Sequence, residues 1–196
     1  MSTTESALLT PAEYLEIEIR SEARHEYING RMVELPGSSD RHSQIAWNLL
    51  GALADRTDDH SCRVFMCGTL IKISAMGIYT YADISAVRGE PRFEHFDDVD
   101  SLLNPSMIIE ILSPLTEAYD RGDKFEHYRR LESLEEYVLV SQDRMLVERF
   151  VRDGAEWRLS FLNDPQALLR LPSIGCEIPL AEIYRNVEFS DVAARG

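Results

Sequence analysis

The chain is short of the features that mark secreted, membrane-spanning or strongly basic proteins. It has three cysteines, Cys62, Cys67 and Cys176, and no C-x-x-C spacing. That pattern argues against a disulfide framework or a zinc knuckle and suits a reducing compartment. No apolar run approaches the roughly 20 residues that cross a bilayer. The first residues, MSTTESALLTPAEYLEIEIRSE, are polar and acidic and lack the apolar core of a signal peptide. No Pro/Gly/Ser-rich linker divides the chain, and it contains no internal repeat or low-complexity segment. The expectation is a soluble, cytoplasmic protein with no membrane partner. Positive charge is scarce too: 20 Lys and Arg stand against 34 Asp and Glu, a formal net charge of −14. A field of that sign repels polyanions, so a nucleic-acid partner requires a locally basic or metal-neutralised surface.

What is present suits one globular domain over residues 1–196, with its core at about 11–184. The 196 residues are 44% hydrophobic, enough for a sizeable core. Thr10-Pro11-Ala12-Glu13 combines a cap, a first-turn proline and a capping-box glutamate, which predicts a helix to about Glu22 with Tyr14, Leu15 and Ile19 inward. Asn29-Gly30 between two strand-like runs predicts a hairpin. Ile45, Leu49, Leu50 and Leu53 recur at helical spacing over 41–55. Residues 62–74 and 79–87 read as two strands joined at Ala75-Met76-Gly77, with Tyr79, Tyr81, Asp83, Ser85 and Val87 on one face. Residues 89–104 read as a loop with solvated acids Asp97, Asp98 and Asp100. A buried strand at 107–112, a helix at 117–131, a strand at 136–140 and an antiparallel meander to Leu162 follow. Short pieces around 168–171 and a turn of helix at 180–184 close the chain. The order predicts a mixed α/β (α+β) fold, with a central sheet flanked by helices and with hairpin and meander additions.

The strand Met107-Ile108-Ile109-Glu110-Ile111-Leu112 carries one acid among apolar residues. A buried carboxylate is costly unless a cation meets it. Two carboxylates on neighbouring strands, Asp83 and Glu110, can converge on a hard divalent ion. Magnesium takes oxygen ligands at roughly 2.0–2.1 Å, commonly one or two carboxylates. Lys124 shares a helix face with Tyr128 and Leu131 and wants an anionic partner. Simpler readings stand beside these: Asp83 as a polar residue on a wet face, Glu110 in a buried ion pair with an arginine or with Lys124, and Lys124 snorkelling to solvent.

Several runs together resemble the Uma2 family, formerly a domain of unknown function. They are Tyr27-Ile28-Asn29-Gly30-Arg31-Met32-Val33-Glu34, His42-Ser43-Gln44-Ile45, Asp83-Ile84, Ile109-Glu110-Ile111-Leu112-Ser113-Pro114, Tyr119-Asp120-Arg121-Gly122-Asp123-Lys124-Phe125 with Tyr128, and Glu135-Glu136-Tyr137-Val138-Leu139-Val140. The resemblance covers roughly Pro11 to Tyr184. It implies a PD-(D/E)XK, restriction endonuclease-like fold and a magnesium-dependent nuclease acting on DNA, with manganese as a substitute ion. Asp83, Glu110 and the backbone carbonyl of Ile111 would hold the metal, and Lys124 would orient or deprotonate water or stabilise charge. Two departures stand out. Ala82 replaces the motif's proline, and Leu112 stands where the superfamily has its lysine, which the family places on the following helix, here Lys124.

Accessory candidates are Glu26 and Glu34 on the first hairpin, His42 and Gln44 at the start of the second helix, and Asp120 and Tyr128 near Lys124. For each a plain structural role is the alternative: solvated hairpin acids, helix-start polar residues, an i, i+4 partner, and a core tyrosine. Two other functions stay open. One is a catalytically inactive nucleic-acid- or protein-binding protein on the same scaffold; the other is hydrolysis of a small phosphate compound. Duplex-cutting proteins often act as two-fold dimers, so a homodimer is compatible with the reading.

Overall fold

The computed structural model describes residues 8–57, 61–66 and 68–189. Its elements in chain order are α1 (Pro11–Glu18), β1 (His25–Ile28), β2 (Arg31–Glu34), α2 (Asp40–Arg56), β3 (Cys62–Met66), β4 (Leu70–Ile73), β5 (Ile78–Tyr81), β6 (Ile84–Arg88), β7 (Phe93–Phe96), β8 (Val99–Leu102), β9 (Met107–Leu112), α3 (Glu117–Arg121), α4 (Asp123–Tyr128), β10 (Glu136–Ser141), β11 (Val147–Asp153), β12 (Glu156–Leu162), β13 (Leu168–Leu171), β14 (Cys176–Pro179) and α5 (Leu180–Ile183). One six-stranded sheet runs β2-β1-β5-β4-β8-β7. A second runs β12-β11-β10-β9-β6-β3, and β13 and β14 form a small hairpin. This is the mixed α+β arrangement that the residue pattern predicts. Among the described residues no helix is long and apolar enough to cross a membrane.

The second sheet carries Glu110. Its central strands β9 and β10 pair in parallel and are buried along their whole length, which explains their near-continuous apolar sequence. On one side Ile109 and Ile111 pack with Ile45, Leu49 and Leu53 of α2 and with Ile178 and Ile183 of the tail. On the other, Ile108 and Leu112 pack with Phe125 and Tyr128 of α4 and with Ile71, Ile73 and Ile78 of the first sheet. Glu110 shares this second face, so it looks toward α4.

The two long strands expected at 62–74 and 79–87 are each cut in two. Gly68, at φ +127°, separates β3 from β4; this conformation is open to glycine and strained for other residues. Cys67, within the first expected strand, lies outside the described residues. In the second strand the ladder breaks at Ala82-Asp83. The halves then enter different sheets, β3 and β6 in one and β4 and β5 in the other. The continuous alternation from Tyr79 to Val87 is therefore corrected: strands that switch sheets make the corners of packed layers. The loop expected at 89–104 contains the β7–β8 hairpin, whose tight turn at Asp97-Asp98 uses a positive φ at Asp97. The first helix stops at Glu18 rather than Glu22, because Glu18 turns inward to bind His25 and Tyr81. The helix expected at 117–131 breaks at Gly122 into α3 and α4.

Candidate active site

Asp83 sits at the break between β5 and β6, and the break frees its carboxylate from the sheet face. In the antiparallel β6–β9 pair Ile84 stands opposite Ile109, so Asp83 faces Glu110 one step further along. The Asp83 N–H donates to Glu110 Oε2 at 3.4 Å. Asp83 Oδ2 accepts the Ile111 N–H at 2.7 Å and lies 3.1 Å from His42 Nε2. His42 reaches it from the first turn of α2, a turn capped by Ser39. Ser39 Oγ also donates to Gln142 Oε1 at 2.5 Å, tying α2 to the end of β10.

Lys124 comes in from α4. Its Nζ is 3.0 Å from Glu110 Oε1, 3.3 Å from Glu26 Oε1 and 3.7 Å from Asp120 Oδ1. Tyr128, one turn on, donates to Glu110 Oε1 at 3.0 Å. Glu26 arrives from the first sheet, held by the hydroxyl of Tyr119 at 2.7 Å and by that of Thr80. The cluster therefore lies where the two sheets and α4 meet. Glu26, Glu110, Asp120 and Lys124 are 1, 3, 3 and 5% exposed, so their mutual fields are weakly screened. Asp83, Glu110, Asp120, Lys124 and His42 line one cleft of about 650 Å³.

The charges do not balance. Among the described residues, Lys124 is the only lysine or arginine within ion-pair reach of Glu26, Glu110 and Asp120, while Asp83 meets only His42. Burial pushes the Glu110 carboxyl well above the usual carboxylate range; Lys124 pulls it down, and Asp83 and Asp120 push it up again. Asp120 is raised by burial as well, against the pull of Lys124. Burial alone would lower the Lys124 amine, but Glu110, Glu26 and Asp120 outweigh it and hold it well above its ordinary value. Three acids around one lysine, with Asp83 beside Glu110, make a site that gains from a further cation.

Of the residues singled out from sequence, the structure brings together Asp83, Glu110, Lys124, Glu26, His42, Asp120 and Tyr128, with Ile111 lining the same cleft. Glu34 and Gln44 are not part of it. Glu34 is exposed on β2, paired opposite His25. The Gln44 amide donates to Asn48 Oδ1 at 2.9 Å, one turn along α2. Among the described residues no three His, Cys, Asp or Glu side chains are gathered as a metal-holding group. The two carboxylates of Asp83 and Glu110 with the Ile111 carbonyl are a smaller, all-oxygen set of the kind that suits magnesium. Sequence reasoning missed Tyr119 and Thr80 as holders of Glu26. Tyr119 stands inside the motif run, but only the pairing of sheet, hairpin and helix shows what its hydroxyl meets.

Comparison with known proteins gives a consistent picture. Residues 11–181 match the model of the Uma2 family, described as "Putative restriction endonuclease". Two curated proteins of Synechocystis sp. are similar over most of their length. The uncharacterized protein slr1290 is 33% identical over 183 residues, 92% of this chain and 94% of its own. The uncharacterized protein sll1609 is 30% identical over 168 residues, 85% and 94%. A crystal structure titled as a "putative nuclease belonging to DUF820" from Anabaena variabilis superposes with a TM-score of 0.73 at 20% identity, covering 90% of this chain and 97% of the other. At that identity it speaks for a shared fold.

Proposed function

The chain belongs to the Uma2 family, and from that membership and the geometry of the cleft we propose that it is a metal-dependent endonuclease hydrolysing phosphodiester bonds of DNA. The observation that carries the reading is Lys124 reaching Glu110 at 3.0 Å from α4 while Asp83 faces Glu110 from the next strand. Two acids and an amine from three separate elements meet at the wall of one cleft. Leu112, the position where the superfamily has its lysine, is buried against apolar neighbours, and Lys124 stands in its place.

Asp83, Glu110 and the Ile111 carbonyl would hold magnesium, or manganese in its place. When bound, such an ion polarises phosphoryl oxygens and lowers the pKa of water. The chain's own groups divide the remaining tasks. His42 and the Ile111 N–H fix the Asp83 carboxylate. Tyr128 and Lys124 fix Glu110. Lys124, held as an ammonium by three carboxylates, donates hydrogen bonds and does not accept a proton. Its role is to orient the attacking water and to stabilise the charge that grows on the phosphate, rather than to act as the base.

The inactive-binder reading draws on Leu112 and on the net charge of −14. A thermal melt separates the two. An ion that binds only the native state stabilises it by about 2.7 kcal/mol at roughly 100 times its Kd. For a chain of this size that is on the order of 5–10 °C in melting temperature. The expected result is such a rise with magnesium or manganese, and its disappearance on adding chelator. No shift with either ion would favour the binder. A shift together with turnover of small phosphate esters, but of no DNA, would move the substrate to that class.

A further inference from the structure

The cleft contains one more cation, and the chemistry described above does not use it. Arg24, in the segment between α1 and β1, lines the same cleft as Asp83, Glu110 and Lys124, and it is the only other lysine or arginine among the described lining residues. It is exposed and forms no ion pair with any described residue. Its guanidinium is nonetheless held in place. It lies over the Tyr81 ring, 5.7 Å from the centroid. A Cβ built on Gly68 would come within 3.1 Å of Arg24 Nη2, so the glycine leaves room for the arginine's tip. Tyr81 is itself fixed, its hydroxyl donating to Glu18 Oε1 at 2.9 Å. Glu18 in turn takes the His25 N–H at 2.9 Å. Tyr81 ends β5, two residues before Asp83, so one turn of chain sets both the acid and the platform beneath the guanidinium.

An arginine that is stacked, pre-positioned and without a carboxylate is poised for an external anion. Its planar fork matches two phosphate oxygens at once, whereas the Lys124 amine is already shared among three acids. We propose that Arg24 grips a phosphate of the nucleic-acid strand bound in the cleft. This rests on the nuclease reading and deepens it by naming the group that lets so acidic a chain hold a polyanion. With one unpaired lysine or arginine among the described residues of the cleft, few counterions are displaced on binding, and the dependence of affinity on salt is shallow.

The test is fluorescence anisotropy with a labelled single-stranded oligodeoxynucleotide, in an uncut Asp83→Asn background with magnesium present. Arg24→Ala is expected to weaken binding about tenfold and to flatten the slope of log affinity against log salt by about 0.7. Arg24→Lys should keep the slope and recover only part of the affinity. The side chain is exposed, so melting temperatures should match the parent and exclude a folding defect. If the oligonucleotide binds and Arg24→Ala binds it as the parent does, with the same salt slope, the inference is wrong and the nuclease reading stands. If neither wild type nor Asp83→Asn binds it, the nuclease reading fails and takes the inference with it.

Discussion

Asp83→Asn is expected to lower phosphodiester cleavage on the order of a thousandfold while leaving the fold intact. The substitution keeps the shape of the side chain. An amide oxygen can still accept the Ile111 N–H that Asp83 Oδ2 accepts at 2.7 Å. What disappears is the charge, and with it one of the two carboxylates proposed to share an ion in the cleft. The carboxylate is a fifth exposed, so losing its charge leaves no buried ion without a partner. Initial rates on plasmid and on labelled oligonucleotide, from matched preparations with magnesium or manganese, read the effect. A rate within a few-fold of wild type would remove Asp83 from the mechanism.

The second large effect is on stability and has opposite signs at the two ends of one ion pair. Lys124→Met removes the only lysine or arginine among the described residues that pairs with Glu26, Glu110 and Asp120, and breaking a buried pair in this way costs about 3–5 kcal/mol. Glu110→Gln removes an acid from a site that has too many. Lys124 keeps Glu26 and Asp120, and the variant is expected to melt at or above wild type while losing cleavage. The sign follows from linkage. The folded-state pKa of Glu110 lies above its unfolded value, so the folded chain holds that proton more tightly. Wild type therefore loses stability as pH rises from the usual carboxylate range toward the folded value. The advantage of Glu110→Gln should widen over the same window. Denaturant titrations of the two variants at several pH values measure this, and a Glu110→Gln chain less stable than wild type at neutral pH would show that the pair is a structural strut. Function purchased at the expense of stability is common at active sites.

Much of this site is legible in the sequence because its members carry local signals. Glu110 is a charge within a run of apolar residues, and Lys124 falls on the apolar face of its helix. The Asn29-Gly30 turn marks the hairpin that delivers Glu26. The sequence does not show that Glu26 points inward and Glu34 outward. The two acids lie on the two strands of one hairpin, and only the pairing of β1 with β5, which leaves β2 at the sheet edge, decides which one is covered. Gln44 fails for a similar reason: it stands two residues after the cleft-facing His42, so the turn of α2 carries its amide away from the cleft to Asn48. The cut strands were hidden because β3–β4 and β5–β6 each read as one long run. Local alternation does not record a change of sheet, and the signals present, Gly68 and the Ala82-Asp83 step, are single residues. The β7–β8 hairpin was masked by its acids, which resemble a solvated loop until Phe93 is seen paired opposite Leu102, both packed on one core cluster. The resemblance to a family supplied the chemistry; the separation of charges into four acids and one lysine is visible only once the chain is folded.

The most direct test of the central claim is a crystal of the wild-type chain soaked in manganese, with anomalous scattering used to locate the ion. The account predicts a peak in the cleft coordinated by the carboxylates of both Asp83 and Glu110. A cleft with no peak, Glu110 still paired to Lys124, and manganese bound only elsewhere on this acidic surface would contradict it.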